Sequence, residues 1–252
     1  MVRAIKMDLQ KLFGDYHIYT CMIGLAFVYM LVHVQSIGQL GETYTITAAY
    51  DRIISGNEIM LISFLFGVIG GSFLYCAEEQ YGYLGFGIQR VGTGIYTISK
   101  LVVSFLGGIC TVFAGQFLFI LGILGHKFLF LDVVVTMEER WKYMMWTLVF
   151  SAVRSGILSA IGFLVTTYMA NFYIGMTMPL LIYYGILELE YWFGVLFPTF
   201  PDGLYFSTRY NEPANGEFAF ANFVFTMLYT AAFMAVLYGI AKRRIERRME
   251  HV

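Results

Sequence analysis

Six apolar runs recur along this chain, at about 18–37, 59–77, 101–124, 143–167, 172–193 and 219–241. Each is close to the ~20 residues an α-helix needs to cross a bilayer. Inside lipid a backbone amide finds no water, so a segment of this kind must satisfy its hydrogen bonds internally, and each run is expected to be a helix. The expected fold is therefore an all-α integral membrane domain of six transmembrane helices, a single unit over residues 1–252. Composition points the same way: charged residues make up 13% of the chain, where soluble domains carry about a quarter. A net charge of -1 supplies no global field for a polyanion, which argues against a nucleic-acid partner.

Ahead of the first run, Val2, Ile5, Leu9 and Phe13 recur at helical spacing with Arg3, Lys6, Gln10 and Lys11 between them. That pattern predicts a helix lying in the membrane interface, against the alternative of a frayed polar leader. The first run is long enough to span and is expected to act as an anchor rather than a cleaved signal. Cys21, Cys76 and Cys110 fall in or beside apolar runs and form neither a disulfide framework nor a zinc spacing.

Charge distribution orients the spans. One side receives Arg3, Lys6, Lys11, Arg90, Lys100, Lys242, Arg243, Arg244, Arg247 and Arg248, and the other Arg52, Lys127, Arg140, Lys142 and Arg209. The positive-inside rule then puts both termini in the cytoplasm. Pro179 lies within the fifth run, where a missing amide donor and a steric clash should kink or interrupt the helix. Beyond it, residues 184–210 carry Glu188, Glu190, many aromatics, Pro198 and Pro201. This pattern fits either a helix end followed by an outer re-entrant hairpin or an ordinary aromatic belt.

Few residues could carry chemistry. The four histidines are scattered, and neither a His-Glu-x-x-His cluster nor a phosphate-binding loop occurs, so no catalytic residue and no metal site are expected. His33 reads as a packing histidine or a proton relay. Arg154 is the strongest oddity, about 16 Å into the bilayer at 1.5 Å per residue. It either lines a central path or is satisfied by backbone and snorkelling. Ser151, Ser155 and Ser159, with Ala152, Gly156 and Ala160 beside them, give its helix a face for close packing. Glu188 or Glu190 offers Arg154 an ion-pair partner, although Glu188 should lie nearer the outer face.

The segment between the second and third runs is the longest inner one. It reads Glu78-Glu79-Gln80-Tyr81-Gly82, then Gln89-Arg90-Val91-Gly92, then Ile95-Tyr96-Thr97-Ile98-Ser99-Lys100. With the six runs, the amphipathic leader and the broken fifth run, this string resembles the ABC-2 type permeases, the membrane subunits of ATP-binding-cassette exporters. Two departures stand out: a second basic residue after Arg90 is replaced by Thr93-Gly94, and the common proline is absent.

The resemblance implies a coupling helix in this loop, with Glu78, Glu79, Gly82, Arg90 and Lys100 as the coupling residues. It implies two copies of a separate ATPase subunit, which would hold the ATP and Mg, and a second permease subunit. It implies a location in a cell membrane, of bacterial type, and an outer re-entrant segment after span 5. The substrate path would be lined by Phe64, Tyr75, Arg154, Met178 and Tyr183. An apolar, aromatic and Met-bearing path suits a hydrophobic or amphipathic cargo such as an antimicrobial peptide or a lipid-like molecule. An ion-coupled carrier or channel, and an intramembrane enzyme, are the competing classes.

Overall fold

The computed structural model describes residues 1–40, 43–45, 50, 53, 57–129, 134–136, 141–169, 171–193 and 216–250. Its helices are α1 (Val2–Gly14), α2 (Tyr16–Leu40), α3 (Asn57–Gln80), α4 (Leu84–Val91), α5 (Thr93–Leu129), α6 (Trp141–Tyr168), α7 (Phe172–Phe193) and α8 (Gly216–Met249). Two three-residue strands, β1 (Thr43–Thr45) and β2 (Val134–Thr136), pair in parallel with Thr43 opposite Val134. They lie beyond the ends of α2 and α5 that are remote from α4.

Among the described residues, three helices are long and apolar enough to cross a membrane, over Tyr16–Gln35, Thr93–Gly125 and Met144–Tyr168, and a shorter apolar helix covers Ile59–Ser72. The chain is thus a helical membrane protein. α5 is 37 residues long, about 55 Å at 1.5 Å per residue, well beyond the ~30 Å hydrocarbon core. Its first two turns carry Tyr96, Ser99 and Lys100.

α6 is the central helix: every residue from 152 to 163 is buried. A helix buried on all sides must be wrapped by others, and α6 packs against α3, α5, α7 and α8. α2 is apolar on two faces. Ile18, Cys21, Leu25 and Tyr29 turn inward, whereas Tyr19, Ile23, Phe27 and Leu31 form an exposed stripe suited to lipid.

Glycines bring α3, α5 and α6 to backbone contact. A Cβ at Gly107 would meet the Gly71 Cα at 2.8 Å, one at Gly108 the Ser155 carbonyl oxygen at 2.8 Å, and one at Gly156 the Phe105 carbonyl oxygen at 2.8 Å. Serines fill what space is left, with the Ser104 hydroxyl donating to the Ser159 carbonyl at 2.9 Å. The face expected from Ser155, Gly156 and Ser159 is used in this packing, and its glycine partners are Gly67 and Gly71 on α3 and Gly108 on α5, while Gly70 and Gly107 bring α3 and α5 together.

Pro179 does not interrupt its helix: α7 runs unbroken from Phe172 to Phe193. The proline removes the donor to the carbonyl of Gly175, four residues earlier. That carbonyl faces Gly162 of α6, where an added Cβ would stand 3.0 Å away. The cost of the lost bond is confined to one carbonyl packed against a glycine. Of the stretch 184–210 expected to hold an outer re-entrant hairpin, residues 194–210 lie outside the described residues, as do the side chains of Glu188 and Glu190.

The candidate coupling elbow and the buried arginine

The turn from α3 into α4 is built by its backbone. Tyr83 N–H donates to the Glu78 carbonyl at 2.9 Å and Gly82 N–H to the Glu79 carbonyl at 3.1 Å. Gly82 takes φ +71°. This is the Schellman closure, which needs a left-handed residue and is met most cheaply by glycine. Gly92, at φ +79°, closes α4 by donating to the Ile88 carbonyl and opens α5 by accepting from Tyr96 N–H. α4 is therefore set between two glycine corners. It buries Ile88 and exposes Phe86 and Arg90, with Tyr81 and Tyr83 exposed in the turn before it.

Glu78 and Glu79, adjacent on α3, are about 100° apart around the helix and face different neighbours. Glu78 accepts from Lys100 Nζ at 2.7 Å, Lys11 Nζ at 2.8 Å and the Tyr96 hydroxyl at 2.9 Å. Lys100 also donates to Asp8 at 2.8 Å, and Asp8 accepts from the Ser99 hydroxyl at 2.6 Å. Two carboxylates and two ammonium groups thus balance, around a Lys100 side chain only 2% exposed. Burial raises the Glu78 pKa, and the Lys100 ammonium with the three donors outweighs it, so the carboxyl rests below its ordinary value. Glu79 turns the other way and pairs with Arg248 of α8, which also reaches the Tyr75 hydroxyl.

These pairs define what the elbow can do chemically. Glu78 and Lys100 tie α1, α3 and α5 together, and Glu79 ties α3 to α8. Of the five expected coupling residues, Arg90 alone presents a charge outward, while Gly82 shapes the turn. α1 meets the bundle through Ile5, Asp8, Leu9 and Leu12, whereas Val2 and Phe13, expected on the same stripe, are exposed. Asp8 was not anticipated from the sequence. The signal was available, since an acid at 8 falls within the helical series 5, 8, 9, 12.

Deeper in the bundle, Arg154 of α6 is 7% exposed. Its Nη1 approaches Tyr183 Oη at 3.4 Å and Met60 Sδ at 3.5 Å, and its guanidinium carbon stands 5.9 Å from the Phe64 ring centre. Phe64 and Tyr183 meet edge to face at 5.1 Å. Three of the expected path residues therefore come together, between α3, α6 and α7. The other two lie elsewhere: Tyr75 packs on Phe163 near Arg248, and Met178 faces outward on α7.

A second polar cluster was not foreseen. Gln116 of α5, 1% exposed, donates to the Tyr29 hydroxyl at 3.2 Å and accepts from Tyr50 at 3.0 Å and Ser151 at 2.9 Å. It joins α2, α5 and α6, and an amide inside an apolar run is the signal that marks it. Among the described residues no group of three or more His, Cys, Asp or Glu is placed to hold a metal ion.

The fold and these sites define the class, a helical membrane protein with a charged elbow at one end of its bundle. No family model, curated protein or solved structure matches the chain.

Proposed function

We propose that the chain is the membrane-embedded permease subunit of an ATP-driven exporter of the ABC-2 type, inserted in a bacterial-type cell membrane with six spans and both termini in the cytoplasm. One observation carries the reading: α4, a two-turn helix between two left-handed glycines, presents Phe86 and Arg90 outward, and the turn that leads into it from α3 presents Tyr81 and Tyr83. A rigidly mounted helix with exposed aromatics and an unengaged arginine has the composition of a protein-docking surface, where aromatic residues and arginine dominate binding energy. The ion-paired frame of Lys100, Glu78 and Asp8 supports the same reading, because a push on α4 would be handed to α1, α3 and α5 together.

In this scheme ATP is hydrolysed on two copies of a separate subunit, and this chain contributes no catalytic group. Two permease chains pair, and their helices alternate between two packings that open a path to either face. The cargo is hydrophobic or amphipathic, of the size of a lipid or a peptide.

Co-purification with the ATPase partner tests the reading. Phe86→Asp and Arg90→Glu lie outside the ion-pair frame and should weaken capture of the partner by about tenfold or more, the loss expected when an interface anchor is removed. Membrane insertion should be unchanged. Undiminished capture and coupled hydrolysis in both variants would show that the partner, if any, docks elsewhere.

A further inference from the structure

Among the described residues no anion stands beside the guanidinium of Arg154. Arginine stays protonated in proteins, and a charge buried this deeply in a membrane helix is ordinarily matched by a carboxylate or by backbone carbonyls. Its contacts are a thioether, a phenol and a ring face, and its buried Nε has no hydrogen-bond partner. No carboxylate pairs with it among the described residues. Tyr183, Phe64 and Met60 pack around it as part of the buried core. An unpartnered guanidinium donor among apolar and aromatic side chains suits one chemistry: an oxyanion, carboxylate or phosphate, carried on an alkyl or aromatic body.

We infer that Arg154 is the head-group site for an anionic amphiphile, held by the guanidinium once the surrounding helices part to admit its apolar body beside Met60, Phe64 and Tyr183. Naming that amphiphile as cargo rests on the transport reading; the binding itself does not. A cationic or neutral amphiphile of the same length gains nothing from the arginine and is discriminated against by the desolvated charge.

The test uses the purified full-length chain in a neutral maltoside detergent, without any ATPase, so that its failure leaves the permease reading intact. The probe is 11-(dansylamino)undecanoic acid, with its amide as the neutral control. The acid should bind saturably, be displaced by dodecyl phosphate and resist dodecyltrimethylammonium. Arg154→Gln should weaken it by about tenfold or more, as expected for loss of charge-assisted hydrogen bonds. If Arg154→Gln does not purify as a single species, Arg154→Lys decides. It keeps the charge and loses the fork, so affinity should fall several-fold.

Displacement by phosphatidylglycerol would identify the bound anion as a membrane lipid, and displacement by single-chain anions alone as a smaller amphiphile; both support the site. Equal binding of acid and amide, or unchanged affinity in the arginine variants, would overturn it. So would rescue of Arg154→Gln stability by Glu58→Gln, Glu188→Gln or Glu190→Gln, which would reveal a counter-ion within the chain.

Discussion

Removing the Lys100 ammonium would leave Asp8 and Glu78 side by side with one fewer cation between them. Breaking a buried ion pair by deleting one partner costs about 3–5 kcal/mol. Lys100→Met should therefore lower thermal stability more than Arg90→Met, which alters an exposed charge, and unfolding of the two purified variants checks it. Acid should act on the same frame. Glu78 titrates below its ordinary 4.5, so its pairing contributes fully above that pH and is lost as pH falls through the depressed value. Melting temperature should drop steeply in that acid range for the native chain and less steeply for Glu78→Gln.

At this scale the sequence spoke unevenly. Glu78 and Lys100 stood out in the string around the elbow, but nothing local said that they would face each other, or that Glu79 would turn to α8. Asp8 escaped because the apolar stripe of α1 was drawn through Val2 and Phe13, one position round from the face that packs. Which face of a short amphipathic helix turns inward is decided by its neighbour, here Val103 and Ile18.

Among the helices, the seam of α3, α5 and α6 is the most sensitive to added volume. Gly108→Ala would drive a methyl against the Ser155 carbonyl oxygen and the Ser159 Cβ, both at 2.8 Å. Overpacking of this kind costs about 1–3 kcal/mol, and more when backbone must yield. Gly85→Ala in α4 has nothing within 4 Å and should instead stabilise its helix by about 0.5–1 kcal/mol. Thermal unfolding of both variants should give shifts of opposite sign. The serine and glycine face of α6 was legible from spacing. Its partners on α3 and α5 were not, since a glycine's need for close approach shows only when the opposing helix is in place. Pro179 sits inside a continuous α7, and the carbonyl it leaves without a helical donor, that of Gly175, lies against Gly162 of the neighbouring helix.

For the molecule as a whole, hydropathy marks three long apolar helices among the described residues, with Ile59–Ser72 of α3 as a shorter one. In the proposed topology the ten-to-five distribution of basic residues across the loops would put the elbow inside. A cysteine introduced at Gly85 should react with an impermeant maleimide only after cells are opened, and labelling in intact cells would invert the assignment.

The glycine seam has a genetic corollary. Any single-base missense change in a glycine codon adds at least a Cβ, so Gly71, Gly107, Gly108 and Gly156 admit no conservative missense neighbour. Random mutagenesis screened for loss of folded protein should gather its hits along this line of the bundle, leaving the exposed stripe of α2 almost unmarked.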